Sequence, residues 1–377
     1  MNGVAEQPRA LGDLPAGFEP RDYQQRIVAD ALEHFAGDGT SVLVESPTGS
    51  GKTVMGLLIA QAIQQQRSFR VGWCAMRRNL LIQVHRENAR GFGVDLVPIS
   101  MFDKHPPAAD LLVIDEAQHD GALSMANLHG QIKPKLILGL SATPFRTDRV
   151  RLCFEKTLRD AGIERLIDDG YLAPYHHYAL DSHEPDRVAQ VYSDDQPRWG
   201  KALIFFHTRA QCEACQAAMQ RLGVRSEVVT AQTDRERQIA DFDKGRLDVL
   251  INMLLLIEGF DCPSLQTVFC RASGKLPTIQ MAGRVLRQHP GIAHKNIVQP
   301  TSTKWPFPRT AAPREQYLWS DDGWRAVMPN ARLDAICNRM QGLLAHLEPQ
   351  LPKYIIDRPQ PAADNHQRWA RMLSGAF

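Results

Sequence analysis

Two stretches of this 377-residue chain carry residue types that handle phosphate. The first is Ser46-Pro47-Thr48-Gly49-Ser50-Gly51-Lys52-Thr53, set between the apolar run Ser41-Val42-Leu43-Val44 and Val54-Met55-Gly56-Leu57-Leu58-Ile59-Ala60. A buried strand, a glycine-rich turn and a helix in that order make a phosphate cradle. Glycines let backbone N–H groups approach the oxygens, and the helix N-terminus adds partial positive charge. Thr48, Gly49, Ser50 and Gly51 are the expected cradle, Lys52 the group that reaches the β and γ phosphates, and Thr53 a Mg²⁺ ligand. Ser46 departs from the strict pattern, which has Gly there. The second stretch, Asp115-Glu116-Ala117-Gln118-His119, ends the run Leu111-Leu112-Val113-Ile114. Ligands of open α/β sheets gather outside the carboxyl ends of strands. Asp115 is therefore expected in the Mg²⁺ shell and Glu116 as base for an attacking water, the competing reading being a solvated helix start.

These groups need a scaffold that sets two strand ends side by side. Strands near Val42, Val71, Val97, Leu112 and Leu138 alternate with helical patterns, which predicts a parallel sheet with helices on both faces over residues 18–150. Residues 151–172 read as a helical connector, with Tyr171-Leu172-Ala173-Pro174 beginning the crossing into a second domain. Asp181 to Trp199 reads as a polar loop with a helical turn or two. A second alternating set covers residues 173–300, with Val228-Val229-Thr230 and Asp248-Val249-Leu250-Ile251 as its clearest strands. Residues 1–17 read as a flexible lead-in, and 301–377 as a C-terminal extension. There, Gln316-Tyr317-Leu318-Trp319 and Trp324-Arg325-Ala326-Val327 flank Asp321-Asp322-Gly323 as a hairpin, and Ala331 to Leu347 has helical periodicity.

From Arg21 to Arg287 the motifs fall in the order of a known family, and the chain resembles a superfamily 2 helicase of the DEAD/DEAH-box type, on its DNA-repair, recombination and phage-like branch. The resemblance implies two tandem RecA-like domains with ATP and Mg²⁺ bound between them. Arg21-Asp22-Tyr23-Gln24 is similar to the adenine-reading element, with Gln24 and Arg21 on the base edge. Ser141-Ala142-Thr143-Pro144 is similar to the motif that couples phosphate state to domain closure through Ser141 and Thr143. Glu258-Gly259-Phe260-Asp261 resembles the fifth motif, which implies nucleotide contacts from Gly259 and Asp261. Gln280-Met281-Ala282-Gly283-Arg284-Val285-Leu286-Arg287 resembles the sixth, in which Gln280, Arg284 and Arg287 join the catalytic set and one arginine acts as a finger on the γ-phosphate. A planar, permanently charged guanidinium suits the charge spread over the γ-phosphoryl oxygens in the transition state. A helix face with arginines at i and i+3 is the plain alternative for Arg284 and Arg287. Arg77, Arg78, Ser100, Thr208, Arg209 and Asn252 are the implied nucleic-acid contacts. Gln118 stands where many relatives have His or Asp, and Ile257 where they have a backbone-contacting Thr. His119 is read either as a polar link to Ser141 or as a surface histidine.

Composition bounds the partners. Lys+Arg 44 against Asp+Glu 42 gives a net charge of +2, which excludes a protein that coats nucleic acid by bulk charge, so any basic groove is local. Arg77, Arg78, His85, Arg86 and Arg90 form one such stretch, a solvated helix face being the alternative for Arg86 and Arg90. Seven scattered cysteines suggest no disulfide framework and point to a reducing, cytoplasmic setting. Cys212-Glu213-Ala214-Cys215 reads as the inner face of a helix rather than a metal site. No apolar run reaches membrane-spanning length and Met1 to Gly17 has no signal-peptide core, so no membrane partner is expected. Four of six tryptophans (Trp305, Trp319, Trp324, Trp369) lie beyond Pro300, read as buried packing in preference to a base-stacking platform. The expected activity is an ATP-driven helicase or translocase, on DNA in preference to RNA. A nucleotide-switched binding subunit without unwinding is the alternative.

Overall fold

The computed structural model describes residues 14–15, 17–119, 123–143, 152–253, 256, 260, 262–320 and 323–327, which belong to one compact unit. The first lobe runs α1 (Asp22–Ala36), β1 (Ser41–Glu45), α2 (Lys52–Arg67), β2 (Val71–Ala75), α3 (Arg78–Asn88), β3 (Leu96–Ser100), β4 (Leu111–Asp115), α4 (Leu123–Ile132), β5 (Leu136–Ser141) and β6 (Lys156–Leu158). Its sheet is wholly parallel, in the order β3-β2-β4-β5-β1-β6. Alternate residues of one strand feed opposite faces. Val42 and Val44 join α1 and α2, whereas Leu43 joins Ile114, Leu128 and Ile132 on the other side. That two-sided burial is why these strands read as continuous apolar runs.

The second lobe runs α5 (Ile163–Asp168), β7 (Tyr175–Leu180), α6 (Pro185–Asp194), α7 (Gln196–Trp199), β8 (Ala202–Phe205), α8 (Arg209–Arg221), β9 (Ser226–Val228), α9 (Arg235–Asp243), β10 (Val249–Asn252), β11 (Thr267–Phe269), α10 (Lys275–Ala282), β12 (Lys295–Pro300), β13 (Glu315–Ser320) and β14 (Gly323–Ala326). The strand order is β14-β13-β7-β12-β11-β8-β10-β9, parallel throughout except for the antiparallel β13–β14 pair.

Three expectations change. The connector is not helical throughout: Lys156–Leu158 adds β6 to the first sheet beside β1, held where the Glu155 carboxylate accepts from Thr40 Oγ1 (2.6 Å) and the Thr40 N–H (2.7 Å). The stretch read as a loop contains the ten-residue α6, started by Pro185 in its first turn and buried along Val188, Ala189, Val191 and Tyr192. The hairpin forms, but β13 pairs with β7, so it completes the second sheet instead of standing apart from it. Trp324 packs on Tyr178, Trp199 and Trp319, partly buried against the core of the second lobe. The helix expected over 331–347 lies outside the described residues. Cys212 and Cys215 are buried on the inner side of α8.

Within the second lobe, the Ala173 N–H donates to Leu286 O (2.8 Å) and the Gln288 amide donates to Gly170 O, which ties the segment entering β7 to the segment after α10. The lobes meet where these segments approach the turn between β1 and α2: a Cβ on Gly49 would stand 3.1 Å from Leu172 Cδ2, and one on Gly283 3.3 Å from Thr48 Cβ.

Candidate active site between the two sheets

The turn after β1 is shaped by its glycines. Gly49 (φ 85°) and Gly51 (φ 82°) are both left-handed, and a Cβ on Gly51 would lie 2.5 Å from the Gln24 amide nitrogen. Inside the loop, Ser46 Oγ donates to Ser50 Oγ (2.7 Å) and Ser50 Oγ to Pro47 O (2.7 Å). Ser46 thus replaces the usual glycine with a buried hydroxyl that ties the loop together. The Lys52 ammonium donates to Ser46 O (3.1 Å) and Pro47 O (3.2 Å), so it curls over the loop's own carbonyls. Burial lowers the Lys52 pKa, Glu116 and Asp115 oppose that shift, and Arg284 and Arg287 add to it. Thr53 follows Lys52 in the first turn of α2.

Asp115 ends β4 and Glu116 follows with φ 56°, a left-handed backbone on a non-glycine residue of the kind that clusters at functional sites. Burial beside the Glu116 carboxylate pushes the Asp115 carboxyl up to about 7, opposed by Lys52. The Trp73 indole N–H, buried without a partner at full hydrogen-bond geometry, lies near enough to favour the charged form of Asp115. Gln118 Nε2 donates to Glu116 Oε2 (2.8 Å), and Gln118 Oε1 accepts from Ser141 Oγ (2.6 Å), while the Thr143 N–H reaches Ser141 Oγ (3.2 Å). A link to Ser141 is therefore made by Gln118; the His119 side chain lies outside what the structure describes.

Arg284 and Arg287 lie beyond the end of α10, where the chain turns at Gly283, so they do not form a helix face. Arg284 is 7% exposed and donates from Nη1 to Phe260 O (3.4 Å). Arg287 reaches the phosphate loop: a Cβ on Gly49 would stand 3.5 Å from Arg287 Cγ, and one on Gly283 3.3 Å from Thr48 Cβ. Burial lowers the Arg287 guanidinium to about 10, still cationic at neutral pH. Gln280 lies half-buried in the second half of α10.

The remaining expected residues divide. Gln24 Nε2 and Tyr23 Oη both donate to Ser50 O, the former at 2.9 Å, and Gln24 Oε1 accepts from the Arg21 N–H (3.0 Å). Gln24 and Tyr23 brace the phosphate loop in this arrangement. Arg21 bonds Tyr23 Oη (3.2 Å) and covers the Tyr171 ring at 4.8 Å. Arg77 is the N-cap of α3, Arg78 and Ser100 are exposed, and Arg209 pairs with Glu213 (2.7 Å). Thr208 caps α8 by accepting from the Gln211 N–H (3.2 Å). Asn252 is 0% exposed, and its side-chain oxygen accepts from the Leu256 N–H (3.2 Å). Gly259 and Asp261 lie outside the described residues. Tyr23, Trp73 and Gln118 carry parts of the site that the motif reading did not assign. Only Gln118 left a sequence signal, as a departure from the common pattern.

Residues 17–95 match the family model for the Type III restriction enzyme res subunit, and 183–289 match the Helicase conserved C-terminal domain. Putative helicase 22 of a Sulfolobus islandicus filamentous virus is 24% identical, over 72% of this chain and 62% of its own length. The putative ATP-dependent helicase IRC3 of Saccharomyces cerevisiae is 24% identical, over 74% of this chain and 51% of its own. The chain thus spans between half and two-thirds of these curated relatives. In fold, it matches the Type ISP restriction-modification enzyme LlaBIII bound to DNA (TM-score 0.54, 16% identity, 80% of this chain, 28% of that one). It also matches S. cerevisiae Dbp5 bound to RNA and ADP BeF3 (TM-score 0.57, 15% identity, 86% of this chain, 94% of that one). With two helicase-type domain models in this order and two parallel sheets around one phosphate loop, the chain is similar to the superfamily 2 helicases.

Proposed function

We propose that this chain is an ATP-driven helicase or translocase that acts on nucleic acid, with DNA preferred to RNA. One observation carries the reading: half-buried Arg287 of the second lobe lies against Gly49 of the phosphate loop of the first, and it and buried Arg284 both act on the Lys52 ammonium, so one nucleotide site draws on both sheets. Hydrolysis then depends on closure, and closure is what a bound strand spanning both lobes would promote.

The residues fit a magnesium nucleotide. The left-handed glycines keep the cradle clear of Cβ atoms, and Lys52 holds its own loop's carbonyls, which it would exchange for phosphate oxygens. Thr53 and Asp115 would hold Mg²⁺, which supplies charge neutralisation on the phosphates when bound. Glu116 takes the proton of the attacking water, with Gln118 fixing its carboxylate. Arg287 stabilises charge developing on the γ-phosphoryl oxygens, and Arg284 supports it from the same turn. Gln118, Ser141 and Thr143 pass the state of Glu116 to β5.

The DNA preference rests on the restriction-subunit family model and the DNA-bound fold neighbour; the RNA-bound neighbour weighs against it. Gln118 in the acidic motif sets the chain beside the DEAD and DEAH forms without matching either. A cytoplasmic setting suits its scattered thiols. The test is ATP turnover with single-stranded DNA, duplex DNA, branched DNA and RNA in parallel, followed by strand displacement. Stimulation greatest with DNA supports the reading, and turnover indifferent to every nucleic acid contradicts it.

A further inference from the structure

Between Cys262 and Arg314 the chain has no acidic residue, yet it carries Arg271, Lys275, Arg284, Arg287, Lys295, Lys304, Arg309 and Arg314. In a chain of net charge +2, one short segment therefore holds a concentrated positive excess. Three of the eight cations have work elsewhere. Arg284 and Arg287 face the phosphate loop, and Lys295 is buried, donating to Pro263 O (2.8 Å) and Leu265 O (2.6 Å). Arg314 stands near the amino end of β7, where its N–H donates to Tyr175 O.

The other four collect at one edge of the second sheet. The turns after β8, β11 and β12 leave the carboxyl ends of three adjacent parallel strands and are stitched together. Arg271 bonds the His207 ring; the Ser273 N–H donates to Thr303 Oγ1 (3.2 Å); and the Trp305 N–H donates to Ser273 O (3.1 Å). Strands about 4.8 Å apart place the three turns across roughly 10 Å. Lys275, Lys304 and Arg309 are exposed there. Lys275 Nζ lies 5.1 Å and the Arg309 guanidinium 5.5 Å from the centre of the Trp305 ring, whose Nε1 is anchored on Thr310 Oγ1 (3.0 Å).

None of Arg271, Lys275, Lys304 and Arg309 pairs with a carboxylate among the described residues. The contrast within the lobe is direct, since Arg187, Arg198, Arg209, Arg221, Arg225, Arg237 and Arg246 each have an acidic partner. Cations with no acid beside them, two of them on the Trp305 ring, are arranged for an external anion.

We propose that the turns after β8, β11 and β12 form a phosphate track for a single nucleic-acid strand, with Arg271, Lys275, Lys304 and Arg309 as its cations, Trp305 as the mount of Lys275 and Arg309, and His207 as the partner of Arg271. This rests on the nucleic-acid reading above and extends it past the expected contacts at Thr208 and Arg209. Trp305 holds cations here rather than stacking bases, so the track reads backbone and not sequence.

The test is anisotropy of labelled oligothymidylate and oligouridylate titrated with the full chain over a range of salt. Lys275→Gln/Lys304→Gln/Arg309→Gln should weaken binding at least about tenfold and flatten the log–log salt slope by about 2, at roughly 0.7 per lost phosphate contact. The charge-matched Arg221→Gln/Arg237→Gln/Arg246→Gln, at acid-paired positions, should bind as wild type does. If the first variant does not fold, Lys304→Gln alone should lower the slope by about 0.7. Unchanged affinity and slope in the track variant overturn the track while leaving the helicase reading intact. A wild-type chain that binds neither oligonucleotide overturns both.

Discussion

Each lobe turns a strand into a helix at the carboxyl edge of its sheet, and the two turns are finished in opposite ways. Between β1 and α2 the N-cap is Gly51 in a left-handed conformation, with no side-chain cap. Between β8 and α8 the Thr208 hydroxyl accepts the Gln211 N–H, and Gln211 Oε1 accepts the Thr208 N–H, each at 3.2 Å. One helix end is closed by its own side chains and the other is left open to an anion. The repeated sheet supplies helix termini, and the capping residues decide which terminus serves as the phosphate site.

The largest effect should come from the open end. Lys52→Ala removes the cation of the cradle, and turnover should fall by about two to three orders of magnitude with loss of nucleotide binding. Nucleotide titration and phosphate release check this, and normal binding would mean that the open terminus is not the site. Next, Gln118→Ala cuts the link from Glu116 to Ser141. Stimulation by nucleic acid should fall about two- to thirtyfold, the range of a coupling of roughly 0.5–2 kcal/mol, with nucleotide affinity little changed.

The site was readable in sequence where it is local in the chain. The loop from Ser46 to Thr53 and the pair Asp115-Glu116 each sit at the end of one apolar run, so type and spacing were enough. The bond from Gln118 to Ser141 was not readable, because it arises from β4 and β5 lying side by side. The burial of Asn252 was not readable for a similar reason: it comes from β8 and β9 on either side of β10. Lys156–Leu158 is too short a strand to show a period, and polar residues around Val188, Val191 and Tyr192 masked the inner stripe of α6.

Two smaller measurements sharpen the contrast between lobes. His177 on β7 is 3% exposed and bonded to Gln299 Oε1 (3.1 Å), and burial pulls its pKa down to about 4. The unfolded chain binds that proton more readily, so the stability it contributes is present above the ordinary histidine range and is lost as pH falls towards 4. His177→Gln should flatten the decline by roughly 3 kcal/mol between pH 7 and pH 4, measured by urea unfolding. If wild type and variant lose stability in parallel, the buried neutral imidazole is not the cause. Thr208→Ala opens the closed terminus and should cost about 1 kcal/mol of stability, with ATP affinity unchanged. A loss of ATP affinity there would break the distinction between the two helix ends.

The central claim is that one nucleotide site is shared between the sheets, and Arg287 tests it most directly. Steady-state ATP turnover and nucleotide affinity should be measured for Arg287→Ala beside wild type, with single-stranded DNA present. Turnover should fall by about 10³ or more while nucleotide affinity stays within a few-fold. Turnover equal to wild type would show that the first lobe hydrolyses ATP alone, and would contradict the shared site.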